Sequence, residues 1–291
     1  MSTLRLKDGR VLGYEEYGDP QGAPLFYFHG FPNSRAGASV SHEAALHHRV
    51  RVVALDRPGF GFSDFKRGRT LGDWPDDVSE AADALGIDRF AVLGYSGGGP
   101  YAAACAARIP ERLTAAGLVS GLGPLTEPAA RKGFRLSTRI GMWFWQRFPF
   151  LVALAFWLMG LAVRRNADRV VRSLSRSMPA VDQAILTRPE VWAAMRDDYR
   201  EAFRQGSRAA THEMRLYLRR WDIDPKSIAL QVLLWHGDVD ATVPVSMGRF
   251  MAGAIPNCRA TFYPGEGHML LIDRMNEIDG ALLASQRTKS A

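Results

Sequence analysis

Cysteine is scarce in this chain: two residues among 291, Cys105 and Cys258, far apart and without metal-type spacing. That excludes a disulfide framework and a cysteine-held zinc site, and it leaves each thiol to be read as a small buried apolar residue. No pattern for a metal or an organic cofactor stands out, and the chain lacks repeats and low-complexity tracts. The opening Met1-Ser-Thr-Leu-Arg-Leu-Lys-Asp lacks the long apolar core of a secretory signal, so the expected compartment is the cytoplasm. The basic residues sit among helix-forming patterns without a recognised nucleic-acid motif, and nucleic acid is not an expected partner.

What is present is an ordinary globular composition, 47% hydrophobic and 23% charged, long enough for a large core and one inserted subdomain. The net charge of +7 is unevenly placed. Pro124 to Lys226 carries 19 Lys/Arg against 10 Asp/Glu, while the remainder carries 18 against 20. An excess on that scale suits anionic partners such as phospholipid surfaces or acidic substrates, or else forms a solvated arginine-rich helix face.

Apolar runs recur at Val11–Tyr17, Leu25–Phe28, Val50–Leu55, Phe90–Leu93, Ala115–Val119, Val232–Trp235 and Ala260–Tyr263, with helical segments between them. The helices are expected at Ser34–His47, Leu71–Leu85, Gly98–Ala107, Val245–Ala254 and His268–Ala284. This is the rhythm of an α/β fold with a mostly parallel central sheet flanked by helices, its first strands forming an antiparallel edge. Between Gly121 and Ile228 the alternation stops and the text turns helical, aromatic and arginine-rich. The expected organisation is a core of residues 1–121 and 229–291 with a helical cap, or lid, inserted at 122–228. In an open α/β sheet the ligand crevice lies beyond the carboxyl ends of the strands, where such an insertion would exclude water and shape the pocket.

Within the insertion, Phe148 to Val163 runs 16 residues without a charge, bracketed by Arg147 and by Arg164-Arg165. That is shorter than the ~20 residues needed to span a bilayer. Two readings remain: a buried helix lining an acyl pocket, or a helix dipping into a membrane interface with its arginines on headgroups, which would make the protein peripherally membrane-bound. Either implies an apolar substrate, and Trp143, Phe144, Phe156 and Trp157 are expected to contact it, together with Tyr95 and Phe31.

The chemistry centres on Gly94-Tyr95-Ser96-Gly97-Gly98, which follows the run Phe90–Leu93 and precedes a small-residue helix. A glycine-flanked serine on a sharp strand-to-helix turn is held in a strained conformation with its hydroxyl exposed. A serine hydroxyl needs a histidine to take its proton and a carboxylate to orient that histidine. Of seven histidines, His268 stands out in Gly265-Glu-Gly-His268, directly after the last strand; His29, His42, His47, His48, His212 and His236 read as core or surface residues. Asp238 and Asp240 compete as the acid, with Asp240 favoured and Asp238 read as a turn former bonding nearby backbone. One oxyanion donor is the backbone N–H of Gly97, and a second is expected from Phe31 in His29-Gly30-Phe31-Pro32. The run Asp56-Arg-Pro-Gly-Phe-Gly-Phe-Ser is given a structural role, with Asp56 or Arg57 satisfying buried backbone groups.

These motifs together resemble the α/β-hydrolase superfamily, in its serine-nucleophile branch with an inserted helical cap. The resemblance covers nearly the whole chain and implies the α/β-hydrolase fold, with Ser96, Asp240 and His268 as nucleophile, orienting acid and base in the family's chain order. Gly237 to Pro244, a Gly-x-x-Asp-x-x-Val-Pro segment, specifically supports Asp240. Ser96 argues against the members that carry aspartate as nucleophile. Peroxidase-like, C–C-cleaving and acyltransferase members share the serine arrangement.

The expected function is a cofactor-independent serine hydrolase that cleaves small-molecule carboxylic esters or thioesters of apolar acyl groups through an acyl-enzyme. The competing expectations are a ligand-binding or signalling protein on the same scaffold with very slow turnover, and a membrane-docked lipase.

Overall fold

Strand residues of this chain alternate between two cores, and that alternation builds the molecule. A computed structural model describes residues 1–287; residues 288–291, the end of the expected 229–291 core segment, lie outside the described residues. Eight strands form one sheet: β1 (Ser2–Arg5), β2 (Val11–Gly18), β3 (Ala23–Phe28), β4 (Val50–Leu55), β5 (Phe90–Tyr95), β6 (Leu113–Val119), β7 (Val232–Gly237) and β8 (Cys258–Tyr263). Their spatial order is β1-β2-β4-β3-β5-β6-β7-β8. The β1–β2 and β2–β4 pairs are antiparallel and the rest are parallel.

Successive residues of a strand point to opposite faces. Phe26 and Phe28, Val53 and Leu55, Phe90 and Val92 join one buried cluster, while Leu25 and Tyr27, Val52 and Ala54, Ala91 and Leu93 join the other. The first cluster is closed by α2 (Trp74–Ala84), α3 (Gly99–Arg108) and α9 (Val245–Ala254), the second by α1 (His42–His48) and α10 (Leu270–Arg287). Central strands therefore bury both faces, as parallel strands between helix layers do.

Between β6 and β7 run α4 (Leu136–Arg147), α5 (Pro149–Ser175), α6 (Ala180–Leu186), α7 (Pro189–Ala202) and α8 (Arg208–Tyr217). Val152, Phe156, Val163 and Val171 of α5 pack with Tyr199, Ala202, Phe203, Ala209 and Ala210 into a separate apolar cluster that also takes in Phe60. α5 is two helices end to end: Asn166 leaves helical geometry, and its Oδ1 accepts the Arg169 N–H at 2.9 Å, capping the second piece.

Three sequence expectations are corrected. β1 was not expected; its Ser-Thr-Leu-Arg is an exposed edge strand with little apolar signal. The expected helix Ser34–His47 is a 3-10 turn, Arg35–Ser41, followed by the short α1, because the first half is small residues that supply no helical apolar face. The segment expected as His268–Ala284 starts its helix at Leu270, leaving His268 free in the preceding loop.

Candidate active site

The chain runs from β3 to β4 on one side, then crosses back over β3 to β5, so the direction of the sheet reverses between β3 and β5. A crevice opens at such a point beyond the strand ends. The loop after β3 carries Phe31, the loop after β5 carries Ser96, and the loops after β7 and β8 carry Asp240 and His268.

Ser96 adopts φ +53°, a left-handed conformation that strains a residue with a side chain. The turn closes because glycine stands at both flanks: a Cβ on Gly94 would strike the Gly98 carbonyl, and one on Gly98 the Phe28 carbonyl. His268 Nε2 lies 3.0 Å from Ser96 Oγ, and His268 Nδ1 lies 2.7 Å from Asp240 Oδ2. Asp240 Oδ1 accepts the backbone N–H groups of Thr242 and Val243, both at 2.8 Å. A carboxylate can only accept, so Nδ1 carries the proton and Nε2 is left to accept from the serine hydroxyl. Burial opposes charging of His268, but the charge and hydrogen bond of Asp240, with Asp182 adding to them, outweigh burial and hold its pKa above the ordinary value. Asp238 instead accepts the Gly265 N–H at 2.7 Å and pins the two loops together.

The Phe31 backbone N–H has no hydrogen-bond partner among the described residues, and Phe31 lies directly against Gly97. Gly97 lies in the first helical turn after β5, where the leading N–H groups lack an intrahelical acceptor. Ser96 and Gly97 border a cavity of about 200 Å³ whose walls include Phe31, Leu125, Phe134, Met142, Trp145 and Met214. A larger cleft of about 730 Å³ between Arg220, Asp224 and Arg249 contains none of Ser96, Asp240 or His268.

The aromatic side chains expected at the substrate are mostly elsewhere. Phe31 lines the cavity, and Phe156 stands behind it with ring centroids 5.4 Å apart. Trp143, Phe144 and Trp157 are exposed and face away, because Thr138, Met142 and Trp145 take the inner side of α4 and Val152 and Phe156 that of α5. Tyr95 is drawn to the imidazole, its ring 5.2 Å from His268 and its hydroxyl donating to the His268 carbonyl at 3.2 Å.

Three buried carboxylates from the insertion, none singled out from sequence, hold the loops of the site. On α6, Asp182 accepts the N–H of His268 at 3.0 Å and of Met269 at 2.9 Å. On α7, Asp198 accepts the Ser34 N–H at 2.6 Å, the Ser34 hydroxyl at 2.8 Å and the Asn33 amide. On α8, Glu213 pairs with Arg57 at 2.6 Å and Arg69 at 2.7 Å, and accepts the Tyr217 hydroxyl at 2.5 Å. That hydroxyl also lies 2.8 Å from the Gly97 carbonyl, and Arg57 in turn donates to the carbonyls of His29 and Gly30.

The environments divide these acids. Burial would raise Glu213, but the two guanidinium charges overrule it and lower its pKa to about 2. No cation among the described residues meets Asp198, so burial dominates its hydrogen bonds and raises it to about 7. His29 is driven well below its ordinary value by burial and by the Arg57 charge, and stays neutral, bonded between the Gly30 carbonyl and the Arg57 N–H. Asp56 accepts the N–H groups of Arg35 and Phe62, the backbone-satisfying role expected of it.

Comparison with known proteins agrees with the architecture. A non-heme chloroperoxidase from Streptomyces lividans is 33% identical over 43% of this chain and 46% of its own length. A bifunctional esterase/perhydrolase from Acinetobacter calcoaceticus is 26% identical over 99% of this chain and all of that one. The crystal structure of a hydrolase from Pseudomonas aeruginosa superposes with a TM-score of 0.72 at 23% identity, covering 98% of this chain and 97% of the other. A family model described as the alpha/beta hydrolase fold matches residues 23–274, and the chain belongs to that family.

Proposed function

We propose that the protein is a serine hydrolase that cleaves carboxylic esters or thioesters of apolar acyl groups, with residues 122–228 acting as the cap over its site. The observation that carries this reading is the relay Ser96–His268–Asp240, closed at 3.0 and 2.7 Å beside an apolar cavity. Ser96 Oγ attacks the acyl carbon while His268 Nε2 takes its proton; the carbonyl oxygen, now an oxyanion, is met by the N–H groups of Phe31 and Gly97. Collapse of that adduct breaks the bond to the alcohol or thiol, which leaves with the proton from His268, and the acyl group remains on Ser96. Water, deprotonated by the same imidazole, then releases the acid. The cavity wall at Met142, Trp145 and Met214 is apolar, which suits a hydrocarbon acyl chain better than a charged one. The esterase named among the relatives supports ester chemistry.

Ser96→Ala should abolish turnover of short p-nitrophenyl esters and labelling by a fluorophosphonate probe, with the melting temperature preserved. Labelling that persists at another residue overturns the assignment.

A further inference from the structure

We infer that the hairpin of α4 and α5 docks onto the surface of an anionic lipid bilayer. Leu136, Ile140, Trp143 and Phe144 of α4, and Phe150, Leu154, Trp157 and Leu158 of α5, are each 44 to 70% exposed. Outside these two helices, only Met1, Leu46 and Val239 are large exposed hydrophobics among the described residues. Both sets fall at the spacing i, i+4, i+7, i+8, one continuous stripe along each helix. Rings join the stripes across the turn: Trp143 to Phe144 at 5.0 Å, Phe144 to Phe148 at 6.1 Å, Phe148 to Phe150 at 6.1 Å. A contiguous apolar surface of this kind marks an interaction site.

The charge around it selects the occupant. From residue 128 to residue 167 there are seven Lys/Arg and no Asp or Glu. Arg135, Arg139, Arg147, Arg164 and Arg165 are exposed, and among the described residues none of them meets a carboxylate. Elsewhere on the insertion some arginines do find a carboxylate, as Arg196 does in Asp197 and Arg204 in Glu201. Apolar and aromatic side chains with a rim of free arginines are what an interfacial helix presents to acyl chains and phosphate headgroups. A second copy of the chain fits poorly, since a two-fold contact through this face would set arginines against arginines with no acid to relieve them.

α5 is long and apolar enough to cross a membrane by length and composition, but its other side is already committed. Val152, Phe156 and Val163 are buried in the insertion's own core, Gly160 rests on the Phe203 ring, and the helix breaks at Asn166. The geometry is that of a hairpin lying on a surface. The inner side of α4 lines the Ser96 cavity through Thr138, Met142 and Trp145, so a docked molecule holds that cavity one helix diameter, ~10 Å, from the lipid.

The surface is independent of the ester-hydrolysis reading, and vesicle co-sedimentation measures it without turnover. The full chain should bind phosphatidylcholine vesicles containing about 30% phosphatidylglycerol about tenfold or more tightly than phosphatidylcholine alone. Binding should weaken severalfold between about 0.05 M and about 0.5 M NaCl, because exposed charge pairs are screened. The triple variant Trp143→Ser, Phe150→Ser, Trp157→Ser should lose sedimentation while keeping its thermal unfolding. The variant Arg139→Gln, Arg147→Gln, Arg164→Gln, Arg165→Gln should lose the preference for phosphatidylglycerol, and Ser96→Ala should bind as the wild type does. Absence of vesicle binding by the wild type overturns the proposal. So does equal binding by the triple variant, or a wild-type dimer in sedimentation velocity that the triple variant abolishes while vesicle binding is nil.

Discussion

His268 is the residue on which pH acts most directly. Its pKa is held above the ordinary value, and only the neutral imidazole can accept the serine proton. Activity should therefore rise through an acid limb whose midpoint lies above about 6.5 in a kcat/KM profile of a soluble ester. Asp240→Asn removes the charge that lifts the imidazole, so the limb should shift toward lower pH and kcat should fall on the order of 10⁴-fold. A limb left where it was would separate Asp240 from His268. Asp279 offers the opposite case: it is 1% exposed, neither oxygen has a hydrogen-bond partner among the described residues, and burial raises its pKa to about 7. A carboxyl that binds its proton more tightly when folded adds stability at low pH and loses it as pH rises toward 7. Asp279→Asn should thus raise the melting temperature more at pH 8 than at pH 5, and the stretch from pH 5 to about 7 caps the difference at about 3 kcal/mol. The residues that the sequence singles out for the relay are legible because each signal is local: glycines around Ser96, a turn around Asp240, a glycine-rich loop before His268. Asp182, Asp198 and Glu213 carry no such signal. Apart from Tyr217, one turn from Glu213, their partners lie 86 to 165 positions away, and an acid on an amphipathic helix reads as solvated.

Among the elements, strands and helices of the core differ from those of the insertion in how well they can be read. Val50–Leu55 and Val245–Ala254 stand in the structure with the bounds the sequence suggests, because a central strand is a short continuous apolar run and α9 begins right after Pro244. α4 cannot be read that way: Met142 and Trp145 on one side and Ile140, Trp143 and Phe144 on the other are all apolar, so hydrophobicity gives no phase. α8 is set by Glu213, whose removal would leave Arg57 and Arg69 buried and uncompensated. Glu213→Gln keeps the shape but not the charge, and breaking a buried pair of this kind costs about 3–5 kcal/mol. Thermal or denaturant unfolding reads that loss directly; a cost near zero would mean that other acceptors satisfy both guanidinium groups.

For the molecule as a whole, packing predicts where it loosens. α6, α7 and α8 are fastened to the core by Asp182, Asp198 and Glu213, whereas α4 and the first half of α5 turn much of their surface to solvent. Native-state hydrogen exchange should find the α7–α8 amides opening with the sheet and the outer turns of α4–α5 opening at a lower free energy. Uniform protection across the insertion would contradict this division. The same fastening bears on engineering. Replacing the whole insertion with one from a relative would strip the His268 loop, the Asn33–Ser34 loop and the Arg57–Arg69 pair of their acceptors at once. Exchanges that stop at the Asn166 break, and leave the second half of α5 and everything after it in place, would change the cavity wall and spare the loops that hold Ser96, Asp240 and His268.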